Sequence, residues 1–394
     1  MKRTTLLIAL LIVMIAGLAA CGPGATPEPT ALPTFTLPPS PTPTATATQT
    51  ATPTPTPLYP PEGMGPSGFP ADVNPLTGLK VENPALLERR PMGVKVSNLP
   101  RNVRPQFGLS LADMVYEYYT EQGSTRFVAL FLGKDAETVG SIRSARFFDA
   151  NIVRMYRAIL AFGSGDVKIR DRLYNSEYAS RLVSEFPAGC PPMCRYEPNG
   201  VDYLVTNTSD LSQYVTGIGV ANGRQNLDGM FFKLEPPEGG QTGARAFVHY
   251  SGGIYNRWDY DPATGKYVRF SETTDNLSGP EADTYAPLTD RLTDQPITAD
   301  NVLVVLTPYE YYSVKPEIMD VPFGPSGTAY LFRDGQVYKV LWQRPSAESV
   351  LFLTLEDGTT PFPFKPGNTW VEVMGASSTV AQEGDDWRFT FLVP

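Results

Sequence analysis

Three short segments, 92–96, 114–119 and 126–132, carry apolar residues broken by single polar ones, the pattern of strands that bury at least one face. From Ser144 the period lengthens. Phe148, Ile152, Met155, Tyr156 and Ile159 recur at spacings of three and four, which predicts an amphipathic helix, and 166–184 predicts a second with Asp166 near its N-terminus. Glycine and proline gather between Asn222 and Gly243, and beyond them the helical period nearly vanishes. Short β-rich runs follow at 247–250, 267–270, 301–306, 328–332, 337–342, 350–355 and 369–373. Asp334-Gly335 between two of them predicts a type I′ hairpin, since glycine tolerates the positive φ that turn requires. The expected fold class is α+β: an N-terminal mixed α/β-type domain over 71–230, then a mostly β C-terminal domain over 231–394.

The chain begins differently. Lys2 and Arg3 precede an almost wholly apolar run from Leu6 to Ala16, and Leu18-Ala19-Ala20-Cys21 closes it. This has the form of a bacterial lipoprotein signal peptide over 1–20, with lipid attached to Cys21. The run is shorter than the ~20 residues a membrane span needs. One acyl chain holds a bilayer only marginally, so a multiply acylated cysteine is the expected anchor, on the outer side of the bacterial cell membrane. Residues 22–61 are nearly all Pro, Thr and Ala, with Glu28 the only charge. Such a stretch has little to bury against its ordering entropy, so the region 21–70 is read as a lipidated cysteine and a disordered stalk, with Thr-Pro repeats suited to O-glycosylation.

The net charge of −9 becomes −11 without residues 1–20, which hold two cations and no acids. With no basic run, a nucleic-acid partner is not expected. Cys21 aside, Cys190 and Cys194 remain, in Cys-Pro-Pro-Met-Cys. An oxidising compartment favours a local disulfide; two free thiols or a redox pair are the alternatives. A zinc site normally needs four ligands, and His249 is the only histidine, so neither metal nor cofactor is expected.

Several motifs occur together: Asn74-Pro75-Leu76-Thr77-Gly78, Ala112-Asp113-Met114-Val115-Tyr116-Glu117, Gly123-Ser124-Thr125-Arg126-Phe127, and Val139-Gly140-Ser141-Ile142-Arg143-Ser144-Ala145-Arg146. Trp258-Asp259-Tyr260-Asp261, Tyr267-Val268-Arg269 and Pro366-Gly367-Asn368-Thr369-Trp370 continue the series. In these the chain resembles the YerB-like bacterial lipoprotein family over roughly 72–375. The resemblance implies a two-part domain of unknown function in the cell envelope and brings no activity with it. Family members often carry histidines in the segments that read here Leu160-Ala161-Phe162-Gly163-Ser164-Gly165 and Asp202-Tyr203-Leu204. Any mechanism that needs those imidazoles is in doubt for this chain.

The residues themselves offer few catalysts. A lone His249 in a β-rich run suits a strand surface or an aromatic contact better than proton transfer, and Gly163-Ser164-Gly165 lacks the full G-x-S-x-G elbow. Asp113, Glu117 and Glu121 share a face of a strand, but neighbours four residues apart are separated by about 13 Å, too far for a pair within that strand. The stronger constellation is Arg126, Arg143 and Arg146 near Glu117 and Glu121, with Ser141 and with Ser144 as helix cap, aimed at a carboxylate or phosphate. The competing arrangement pairs these arginines internally with Asp113, Glu117 and Glu121. Tyr250, Tyr255, Trp258, Tyr260, Tyr267 and Trp370 suit either a β core or sugar stacking. Asp259 and Asp261 fit a turn as well as a calcium site.

The sequence therefore predicts a lipid-anchored extracytoplasmic protein, of undefined oligomeric state, whose head binds peptidoglycan or an envelope protein through an arginine-lined groove without catalysis. A carboxylate-based wall hydrolase or transferase is the alternative, and a solute-binding protein the second.

Overall fold

Burial decides the centre of the molecule. Every residue of β1 (Met92–Ser97) and β2 (Met114–Tyr119) is buried, so both faces of these strands are covered. β3 (Thr125–Phe131) lies between them, antiparallel to each. The computed structural model describes residues 59–198, 200, 202–276 and 283–394. The expected signal peptide, Cys21 and most of the expected stalk lie outside them.

The chain continues through α1 (Asp149–Met155), β4 (Ile159–Phe162), α2 (Val167–Tyr174), β5 (Leu182–Ser184) and α3 (Thr208–Gly217). β1, β4 and β5 run parallel, with Met92 opposite Ile159 and Leu160 opposite Leu182. Beyond residue 218 the described elements are strands: β6 (Arg245–Ser251), β7 (Ile254–Asp261), β8 (Lys266–Glu272), β9 (Asn301–Thr307), β10 (Ser326–Arg333), β11 (Gln336–Gln343), β12 (Thr369–Gly375) and β13 (Asp386–Thr390), with shorter pieces between. The α+β class is as the sequence predicts.

The two parts share one 11-stranded sheet. Its path runs from Gln241–Thr242 through β11, β10, β9, β12, β2, β3, β1 and β4 to β5, with Phe352–Thr354 paired to β11. The join is β12 on β2, parallel, with Glu372 opposite Glu117. A 7-stranded sheet containing β8, β7, β6 and β13 contributes buried aromatics against one face of the large sheet, among them Trp258 beside Trp370 at 5.2 Å between ring centroids. α1 covers the other face, Phe148 lying 4.4 Å from the Tyr118 ring.

The Asp334-Gly335 hairpin forms as predicted, both residues at positive φ between β10 and β11. Three expectations need correction. The first helix starts at Asp149 rather than beside Ser144. The second stops at Tyr174 and is capped by Asn175, and 182–184 is strand, because Leu182 and Val183 continue the parallel edge beside β4. The fold also reaches back to residue 59. Met64 bridges to Phe232, and the Phe69 ring sits 6.3 Å from that of Phe232, so 59–70 belongs to the packed body rather than to a stalk. Tyr59, Met64 and Phe69 supply the apolar surface that the Thr-Pro tract lacks.

Candidate functional site

Strand parity sorts the predicted residues. On β2 and β3, Tyr118 lies opposite Arg126, while Glu117 lies opposite Phe127 and therefore points the other way. Glu117 is consequently not beside Arg126, which corrects the expected grouping of the two. It belongs to a separate cluster between the two sheets.

In that cluster the Arg269 guanidinium donates to Glu117 Oε2 at 2.7 Å and to Glu372 Oε1 at 3.1 Å, all three side chains being excluded from solvent. Asn98 and Thr125 donate to Glu117 Oε1, and Trp258 Nε1 and the Tyr250 hydroxyl to Glu372. The guanidinium stands 4.5 Å from the Trp370 ring centroid. Burial, reinforced by the neighbouring Glu117, pushes the Glu372 carboxyl up to about 8. The cluster is buried and closed to ligands, with the Arg269 Nε alone of its guanidinium nitrogens left without a partner, so it joins the sheets rather than reacting.

The opposite face carries the open site, at the carboxyl ends of β1, β2 and β4. Glu121, in the turn after β2, accepts from Arg146 Nε at 2.6 Å and from a second nitrogen of the same fork, and also from Arg126 at 3.2 Å. Burial raises the Glu121 carboxyl, but Arg146, helped by Arg126, outweighs it and holds the group below its usual range. Burial, and then the charge of Arg146, brings Arg126 down to about 10. Arg143 forms an ion pair with Asp202 at 2.6 Å, its side chain 27 % exposed. Ser144 caps no helix; its carbonyl accepts from Arg126 and Arg146, and the residue before α1, Phe148, offers no side-chain cap. Ser141 is buried, its hydroxyl without a partner, and its carbonyl accepts from Ser97.

Beneath these residues lies a group the sequence did not single out. Lys95 on β1 bonds Tyr118 and reaches Asp149 Oδ1 at 3.0 Å, Tyr118 donates to the same oxygen at 2.5 Å, and Asp149 Oδ2 accepts from the Arg146 backbone at 2.7 Å. Burial brings Lys95 down to about 7 despite the opposing pull of Asp149. None of the three is exposed, so they fix α1 and the Arg146 backbone from below. Lysine inside a strand pattern was the available signal.

Glu121, Ser144 and Arg146 line a cavity of about 290 Å³ with Asp166, Ile169 and Glu317. Asp166 caps α2, as the sequence predicts, through a bond from the Lys168 amide. Cys190 and Cys194 are bonded, with Cα atoms 4.6 Å apart, and Cys194 lies on a strand next to the one that pairs with Gly140. His249 is half-buried and stacks on Tyr255 at 5.5 Å. Asp259 binds Arg257, and Asp261 accepts from Ala263 and Thr264 in a turn. Tyr250, Tyr255, Trp258, Tyr267 and Trp370 are core. Among the described residues no three His, Cys, Asp or Glu side chains gather as a metal centre would need.

Comparison with known proteins gives two adjoining family matches: residues 76–215 to the N-terminal domain, and 246–371 to the C-terminal domain, of a protein of unknown function (DUF3048). The chain is 27 % identical over 311 residues to "Putative lipoprotein YerB" of Bacillus subtilis (strain 168), covering 76 % of this chain and 85 % of that one. The crystal structure of the YerB protein from Bacillus subtilis superposes with a TM-score of 0.62 at 24 % identity, over 77 % of this chain and 96 % of that one, a likeness of fold.

Proposed function

The chain belongs to the DUF3048 family, and from that membership we propose that it is an extracytoplasmic lipoprotein, anchored through Cys21, whose head binds an anionic wall component or envelope protein at the carboxyl ends of β1, β2 and β4. Support for the anchor comes from the name of the Bacillus subtilis relative together with the lipoprotein signal in this sequence. An oxidised Cys190–Cys194 bridge suits the same compartment.

One observation carries the binding reading. Arg126 and Arg146 share the single carboxylate of Glu121, so part of their hydrogen-bonding capacity is left over beside an open cavity that Arg146 lines. A ligand carboxylate or phosphate would satisfy it bidentately. The cavity also presents Asp166, which accepts from the Lys168 amide, and Glu317, which accepts from the Tyr119 hydroxyl and the Gln122 amide. A ligand with an anion and an amine close together, as in a peptide stem, matches that split. Glu117 and Glu121 do not form the carboxylate pair of a hydrolase, since Glu117 is closed off on the far face from Glu121.

The test uses the chain from residue 22, which retains every described residue, titrated with purified peptidoglycan fragments and with products followed by mass spectrometry. Saturable binding weakened about tenfold in Arg146→Ala, with fragments intact, is the expected result. Cleaved fragments would make the protein an enzyme.

A further inference from the structure

The opposite ends of the same parallel strands hold a second concentration of arginine. Arg90 lies two residues before β1, Arg157 two before β4 and Arg181 one before β5. The register of these three strands brings their amino ends together, so residues far apart in sequence meet at one edge. They line a cleft of about 420 Å³. This cleft shares Arg154 and Glu177 with a second, of about 640 Å³, between α1, α2 and the loops after residues 320 and 344, where Arg344 enters from the other half of the chain.

What sets these four arginines apart is their partners. Arg90 donates to the carbonyls of Ala221 and Arg157 and to Gln225, Arg157 to the Asn226 carbonyl, and Arg181 to the Val153 carbonyl. Arg344 is only 4 % exposed and donates to Asn151 and to the carbonyls of Phe323 and Ala347, while its Nε has no partner. Each guanidinium is held in place by neutral oxygens, and among the described residues none forms an ion pair, whereas Arg154 and Arg172 in the same clefts are matched by Glu177 and Asp320. Burial and then the charge of Arg90, with Arg157 adding to it, bring Arg181 down to about 10 despite the opposing pull of Glu177, so the cations repel one another across the groove. Arg157 moreover adopts φ +50°, a left-handed conformation that favours glycine, and backbone strain of this kind persists where the surroundings impose it.

An acidic chain of net charge −9 thus keeps an excess of three cations in one elongated groove, where Arg90, Arg154, Arg157, Arg172, Arg181 and Arg344 face only Glu177, Asp320 and Glu348. A single small anion would leave most of that charge unbalanced. The groove calls for several anionic groups spaced along one molecule, and the guanidinium fork matches phosphate oxygens. We propose that the groove at the amino ends of β1, β4 and β5 binds a phosphate-bearing polyanion, seated on Arg90, Arg157, Arg181 and Arg344. The site is independent of the one proposed at the carboxyl ends of the same strands.

The test titrates the chain from residue 22 with poly(glycerol phosphate) oligomers, with water-soluble dihexanoyl phosphatidylglycerol, and with poly-glutamate of matched charge. Saturable, salt-sensitive binding of the oligomer is expected, weakened at least about tenfold in the Arg157→Gln/Arg181→Gln double variant and less than about twofold in Arg146→Ala. These two arginines are partly exposed, so the double variant should keep the wild-type Tm; the buried Arg344→Gln serves only if it folds. Preference for the soluble lipid would still support phosphate recognition and assign it to a headgroup. No binding of either phosphate ligand, an unchanged affinity in the folded double variant, or equal affinity for poly-glutamate would overturn the proposal. Loss of oligomer binding in Arg146→Ala alone would also overturn it, without touching the peptidoglycan test.

Discussion

Glu117 and Glu372 stand side by side in register on adjacent parallel strands, and the guanidinium of Arg269 from the other sheet reaches both. Three ionisable groups with no access to water are stable only when each is paired or neutral. Replacing Arg269 by methionine removes the one cation and should cost about 3–5 kcal/mol, read from urea unfolding. Adding Glu117→Gln to that variant should recover much of the loss, because no buried charge is then left without a partner.

Glu372 makes stability depend on pH with a definite sign. Its native carboxyl is raised from 4.5 to about 8, so between those values the folded state holds more protons than the unfolded one. The contribution of this group is complete below about pH 4.5 and is lost as pH rises through about 8. Glu372→Gln should remove that decline, so the variant's stability should gain on the wild type from pH 5 to 8; parallel curves would refute the assignment.

Lys95 acts in the other direction. Its amine is lowered from 10.5 to about 7, so the unfolded state binds more protons between those values and stability climbs with pH across that window. Lys95→Met should abolish the climb between pH 7 and 10 while Asp149 keeps its bonds from Tyr118 and the Arg146 amide.

Glu121 occupies the forks that an incoming anion would need. Glu121→Gln should release Arg126 and Arg146 and tighten binding of a carboxylate-bearing wall fragment several-fold, about 1 kcal/mol, measurable by calorimetry. An unchanged affinity would place the ligand elsewhere.

Serine in place of both Cys190 and Cys194 should lower stability by about 2 kcal/mol, since the loop they close is short. The loss should be seen by thermal unfolding under oxidising conditions and vanish when both proteins are compared in reductant.

The strands of the first half, the late β-rich runs and the Asp334-Gly335 turn were legible because their signals are local: alternation, β-branched residues and glycine at positive φ. The helix starts were less so. Apolar spacing from Phe148 onward shows the face of α1 but not its first residue, which is set by Asp149 bonding the Arg146 amide. The candidate site was half legible. The Ser141 to Arg146 motif indicated a cationic site, but Glu117 and Glu121, four apart, end on different faces because β2 stops at Tyr119 and Glu121 turns back in the hairpin. Arg269 with Glu372, and Arg90 with Arg181 and Arg344, were beyond reach, since only the strand order brings these positions together.

The place of β12 in the large sheet has a consequence for how the chain is made. β2 has β3 on one side from early in synthesis, yet its other neighbour is β12, Thr369–Gly375, far later in the sequence. Until that strand arrives, the β2 edge stays open and Glu117 lacks Glu372 beside it. Assembly therefore waits on a strand far along the polypeptide from its partner. A chain cut short before Thr369 is left with two half-built sheets and an exposed seam, the form in which quality-control proteases would meet it.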